Sequence, residues 1–149
     1  MPRLSVVVLA LLVAGCDGFN SDEQVAFELL ATTGRSDGIT PDDWQVAPAF
    51  RGRVEITAVP NPNPARPGET VSLIVYASEA PTGLDLYRRR EVDGLLERFQ
   101  TRGGASGPNQ YPFSFAGGEV STTGRTGSHR LLVLDGLERV VTYGDLVLE

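Results

Sequence analysis

Ser128-His129-Arg130-Leu131-Leu132-Val133-Leu134 and Arg139-Val140-Val141-Thr142-Tyr143-Gly144-Asp145-Leu146-Val147-Leu148 are the two stretches whose reading decides the fold. Both are dense in branched and aromatic residues, which suit a pleated, packed surface. Asp135-Gly136-Leu137-Glu138 lies between them, so the pair reads as two antiparallel strands joined by a short connection. Upstream, residues 53–59 and 70–77 alternate polar with apolar side chains; Val54, Ile56 and Ala58 are expected on one face of the first, and Val71, Leu73 and Val75 inward on the second. Between them, Pro60, Pro62, Pro64 and Pro67 remove backbone donors and favour extended geometry, which excludes a central strand. Residues 84–90 and 95–100 flank Asp93-Gly94, the signal for a two-residue hairpin that would set Arg90 opposite Glu97 and Arg89 opposite Arg98. Tyr111-Pro112-Phe113-Ser114-Phe115 is a short strand that its proline places at an edge. Marked by Val54, Val71, Leu84, Leu95, Tyr111, Leu131 and Val140, about seven strands separated by turns imply an all-β, antiparallel sandwich.

Before the strands, helix signals appear once. Ser21 is placed as N-cap with Gln24 as its capping-box partner, Asp22 and Glu23 suit the positive end of the dipole, and Gly34 is a stop. Val25, Ala26, Leu29 and Leu30 recur at helical spacing, so a short helix over residues 22–31 is expected to dock that stripe on the domain or on a partner. Residues 36–43 fail the calcium-loop register: with Gly38 at the sixth position, the first and third become Thr33 and Arg35 and the closing glutamate becomes Trp44. They read as a turn. Trp44, the only tryptophan, is expected to cover an edge of the core.

The N-terminus sets the address. Met1-Pro2-Arg3 is a short basic n-region, residues 4–13 form an apolar segment interrupted by Ser5, and Leu12-Val13-Ala14-Gly15-Cys16 follows. The apolar run is shorter than the ~20 residues a spanning helix needs. These residues resemble the lipobox of bacterial lipoproteins. The resemblance implies that residues 1–15 are a signal peptide, that the Cys16 sulfur is acylated, and that Cys16 becomes the first residue of a chain held to the membrane by its N-terminal lipid. Residues 16–49 then form a lipidated tether with its short helix, and residues 50–149 the sandwich. A second resemblance lies between Val59 and Val75. The Pro-Asn-Pro, the Arg-Pro-Gly-Glu and the strand after them resemble the opening of immunoglobulin-like and secretion-sorting modules of Bacteroidetes-type envelope proteins. It implies an immunoglobulin-like antiparallel β-sandwich; the end of the chain, Asp145-Leu146-Val147-Leu148-Glu149, lacks the tail of a sorting module.

Composition narrows the chemistry. Cys16 is the only cysteine, so acylation would leave neither a disulfide nor a thiolate ligand. Without residues 1–15, 12 Arg stand against 19 Asp plus Glu, a formal charge of −7, and nucleic acid is a poor partner. With one histidine, a His-based zinc site and a Cys-His dyad are excluded, and His129 reads as structural. Gly104-Ala105-Ser106-Gly107 lacks the spacing of a nucleophile elbow. No cofactor or metal is expected, and no enzyme. The local exception to the acidic surface is Arg88-Arg89-Arg90, which reads either as charge guarding an edge strand or as a contact surface for an envelope protein or an anionic glycan such as lipopolysaccharide. Two functions are implied: a lipid-anchored, non-enzymatic binding or structural module of the cell envelope, periplasmic or cell-surface, or an accessory subunit of a secretion or surface-assembly machine.

Overall fold

The computed structural model describes residues 21–33 and 44–149. Its elements run α1 (Ser21–Thr33), β1 (Gln45–Val46), β2 (Val54–Asn61), β3 (Thr70–Ala77), β4 (Leu84–Arg89), β5 (Leu96–Arg102), β6 (Asn109–Ala116), β7 (Gly127–Asp135) and β8 (Val140–Leu148), with 3-10 turns at Pro48–Phe50 and Gly117–Val120. The strands form a five-stranded sheet in the order β1-β8-β7-β4-β5 and a three-stranded sheet in the order β2-β3-β6, antiparallel at every pairing. The chain crosses between the sheets at β1–β2, β3–β4, β5–β6 and β6–β7, while β2–β3, β4–β5 and β7–β8 are antiparallel neighbours within one sheet. β3 pairs with β6 while β4 pairs with β7, which is the Greek-key crossing of an immunoglobulin-like sandwich. All seven expected strands are present, and β1 is an eighth that alternation over two residues could not announce.

Alternation places the core. Val71, Leu73 and Val75 of β3 and Tyr111, Phe113 and Phe115 of β6 point inward and are buried. Facing them are Leu84 and Leu86 of β4 and Leu131 and Val133 of β7, with Leu86 opposite Val133 and Leu131 opposite Arg88 in register. Gly144 lies opposite Leu131, where a Cβ would stand 2.5 Å from the Trp44 ring, so the missing side chain is what admits the tryptophan. Pro60 falls at the end of β2, an edge strand, and the rest of the proline-bearing link belongs to neither sheet, but its end lines β8: Ala65 makes a parallel bridge to Leu148, and the Asn63 side chain accepts from Val147 N (2.9 Å) and donates to Asp145 O (3.1 Å). β6 is an edge strand, as its proline requires, and side chains of β5 cover it: Gln100 donates to Ser114 O and Arg102 to Pro112 O, both at 2.5 Å.

The outer face of the five-stranded sheet carries α1. Arg130 lies opposite Asp145 and Leu132 opposite Tyr143, all on the side away from the three-stranded sheet. Phe27 of α1 packs its ring on Tyr143 at 4.9 Å between centroids, and Ala31 one turn later is fully buried. The docked stripe is therefore Phe27 and Ala31, flanked by Gln24 and Glu28, rather than Val25, Leu29 and Leu30, which face outward. The Gln24 amide donates to Glu28 and accepts from Ala49 N, while the Ser21 side chain of the expected cap lies outside the described residues.

Candidate functional site

Cys16, Gly34 and the loop over residues 36–43 lie outside the described residues. The three arginines are described, and the structure separates them. β4 runs between β7 and β5, so they do not guard an edge; β5 is the edge. Arg88 follows Leu84 and Leu86 onto the inner face. Its guanidinium pairs with Glu97 (3.0 Å), lies 5.9 Å from the Phe99 ring and donates to the Glu119 carbonyl, with its side chain only 18% exposed. It closes one end of the sandwich. Arg89 bonds the Gly94 carbonyl across the turn, and Arg90 pairs with Asp93 at 2.9 Å.

The hairpin register differs by two residues from the expected one. Arg88 faces Glu97, Arg89 faces Leu96, and Arg90 N bonds Leu95 O. The turn therefore spans four residues, 91–94, with Gly94 at φ +72° and the Asp93 carboxylate accepting from Leu95 N. The extra length turns Glu91 back toward the body of the protein. Its carboxylate accepts from Ser121 Oγ (2.5 Å), from Thr122 N (3.0 Å) and from the Thr122 hydroxyl, and lies 3.4 Å from His129 Nδ1. Burial alone would raise the Glu91 pKa, but these hydrogen bonds outweigh it and hold the carboxyl at about 2, against an ordinary 4.5. Nothing in the local sequence singles out Glu91, because its partners are some thirty residues away.

This cluster contains a serine, a glutamate and a histidine, yet its wiring does not suit nucleophilic catalysis. In a triad the histidine takes the serine proton and the acid orients the histidine. Here Ser121 donates directly to the carboxylate, and His129 Nε2, 2.9 Å from the Arg125 carbonyl oxygen, donates its proton there. Glu91 acts as a tie between the hairpin, the segment at Ser121 and β7. What the tie leaves in water is the hairpin tip, where Val92 is 75% and Leu95 60% exposed beside the Arg90–Asp93 pair.

At the opposite end of the sandwich, Phe50, Ala80, Pro81, Leu84, Leu137 and Val141 line a cleft of about 210 Å³. The guanidiniums of Arg53 and Arg139 lie 5.8 Å and 5.2 Å from the Phe50 ring, and Arg139 is bound to Asp135 at 2.6 Å. Small-molecule sites occupy about 300 Å³ or more, so the cleft is small for one. Among the described residues no three His, Cys, Asp or Glu side chains gather as metal ligands, and no helix is long and apolar enough to cross a membrane. No known protein family and no curated protein sequence matches the chain.

Proposed function

We propose that this protein is a lipid-anchored, non-enzymatic module of the cell envelope, held by acylated Cys16 and working by surface contact at the tip of the β4–β5 hairpin. The observation that carries the reading is the run Leu12-Val13-Ala14-Gly15-Cys16 behind a basic and then apolar N-terminus. Two apolar side chains beside paired charges, held on a tied turn, favour contact with an envelope protein or a glycan.

The anchor is tested by replacing Cys16 with Ala, which should leave a longer precursor that takes up no labelled palmitate; normal maturation of that variant would sink the reading. The contact surface is tested by Arg90→Ser with Val92→Ser, which removes exposed groups and should change stability by less than about 0.5 kcal/mol. Pull-down from detergent-solubilised envelope should lose its partner with this variant. Retention of the partner would move the contact surface elsewhere, and capture of secretion-machine subunits would favour the accessory-subunit role.

A further inference from the structure

We infer that the outward face of α1 seats in the interfacial layer of the membrane, laying the five-stranded sheet toward the bilayer and the three-stranded sheet away from it. The inference rests on acylation of Cys16 and adds to it a second, non-covalent contact and an orientation. Around the helix, Gln24, Phe27, Glu28 and Ala31 turn toward the sandwich, while Val25, Ala26, Leu29 and Leu30 form one contiguous outward surface. Val25 is 64%, Leu29 59% and Leu30 57% exposed. The other described large apolar side chains this exposed sit at the hairpin tip and at Leu137, so the helix carries the largest such cluster on one element. A helix already docked by one face does not need a second apolar face for folding.

Chain length selects the occupant. Only Asp17, Gly18, Phe19 and Asn20 separate Cys16 from the first helical residue, and Cα atoms are at most ~3.8 Å apart, so the helix starts within roughly 19 Å of the acylated residue. An acylated residue sits at the headgroup layer, and this tether keeps the apolar face beside the bilayer at high effective concentration. A free protein partner has no such advantage. α1 contains no basic residue and has Asp22 and Glu23 in its first turn, so the contact is apolar rather than a response to anionic lipid. Its axis is then parallel to the membrane. The sheet face beneath it, with Tyr143, Arg130 and Asp145, faces the bilayer through the helix.

Acylation consumes the only native thiol, so an introduced cysteine is a unique probe site. Full-length Leu29→Cys and, as a control on the exposed outer side of β3, Ser72→Cys are purified from envelope, labelled with an environment-sensitive fluorophore and placed in phosphatidylcholine vesicles containing nitroxide-labelled lipid. Palmitate on Cys16 is checked in the same samples. The inference expects quenching at residue 29 at least threefold stronger than at residue 72, and unchanged when a fifth of the lipid is replaced by phosphatidylglycerol. Palmitate present with equal quenching at the two positions overturns the inference and leaves the lipoprotein reading standing. Absence of palmitate and of vesicle flotation overturns the lipoprotein reading and this inference with it.

Discussion

Replacing Arg130 with Met tests the joint on which the docked helix depends. The guanidinium is buried, with its side chain 3% exposed, and binds Asp145, itself 2% exposed, through Nε–Oδ1 at 2.5 Å and Nη2–Oδ2 at 3.2 Å. Its remaining nitrogen donates to the Leu30 carbonyl at 3.1 Å and the Ala31 carbonyl at 3.4 Å, and its charge lies 4.8 Å from the Tyr143 ring. Those carbonyls belong to the last turn of α1, which has no basic residue of its own, so Arg130 supplies the cation that the negative helix end lacks. Methionine keeps the packed stem but leaves Asp145 without its counter-ion. Removing one partner of a buried pair costs about 3 to 5 kcal/mol, which in a domain of this size lowers Tm by roughly 10 to 20 °C. Urea melts and scanning calorimetry measure the loss. Arg130→Met with Asp145→Leu should recover most of it, because an apolar pair replaces the ion pair without stranding a charge. Hydrogen exchange in the last turn of α1 should stay fast in the double variant, since neither replacement restores a donor to Leu30 and Ala31. A single variant that loses less than about 1 kcal/mol, or a double variant no more stable than the single, would refute this account of the joint.

Gly144→Ala should cost about 1 to 3 kcal/mol, because the added methyl meets the Trp44 ring at 2.5 Å, and the tryptophan fluorescence should shift with the melt. Tyr111→Phe should stabilise the protein by about 1 kcal/mol, read as a higher urea midpoint, since the Tyr111 hydroxyl is buried without a hydrogen-bond partner among the described residues. The Glu91 carboxyl is depressed from 4.5 to about 2 in the fold, so its contribution is fully present above pH 4.5 and is lost as pH falls toward 2. Glu91→Gln should therefore lower stability by about 2 kcal/mol at pH 7, after allowance for solvent screening, and the gap to the parent protein should close as pH approaches 2. A gap independent of pH would assign the loss to packing instead.

Legibility tracks the range of the interactions. Val71, Leu73 and Val75 are readable as an inward row because β3 has one dry face and one wet one, and alternation reports that contrast directly. The same holds for Tyr111, Phe113 and Phe115 and for the edge position of their proline-bearing strand. The hairpin register is not readable, because Asp93-Gly94 favours a two-residue turn locally while Glu91 gains three hydrogen bonds from Ser121 and Thr122 only if the turn is longer. Long-range contacts override the local preference. β1 is invisible in sequence because its position depends on an absence, the side chain of Gly144, which makes room for Trp44. Among the arginines, the run Arg88-Arg89-Arg90 stands out through local charge density, whereas the structurally decisive arginine is Arg130, whose partner Asp145 lies across a strand pair and whose other acceptors lie a hundred residues upstream.

The helix docks through Phe27 and Ala31 although its opposite face is the more aliphatic one. Val25, Ala26, Leu29 and Leu30 have the stronger apolar spacing, but hydrophobicity alone does not say which dry surface a stripe will meet. The sheet offers a ring, Tyr143, and a buried cation, Arg130, so it selects the face with an aromatic partner and places the helix end over the guanidinium. That selection leaves the more aliphatic face outward, at the end of a four-residue connection to Cys16. A stripe suited to an aromatic, charged sheet surface and one suited to hydrocarbon thus occupy opposite sides of the same thirteen residues. Arg130 holds the first side in place and thereby fixes the direction of the second, so loosening Arg130 should weaken the orientation that the proposed lipid anchor and membrane contact would impose on the sandwich.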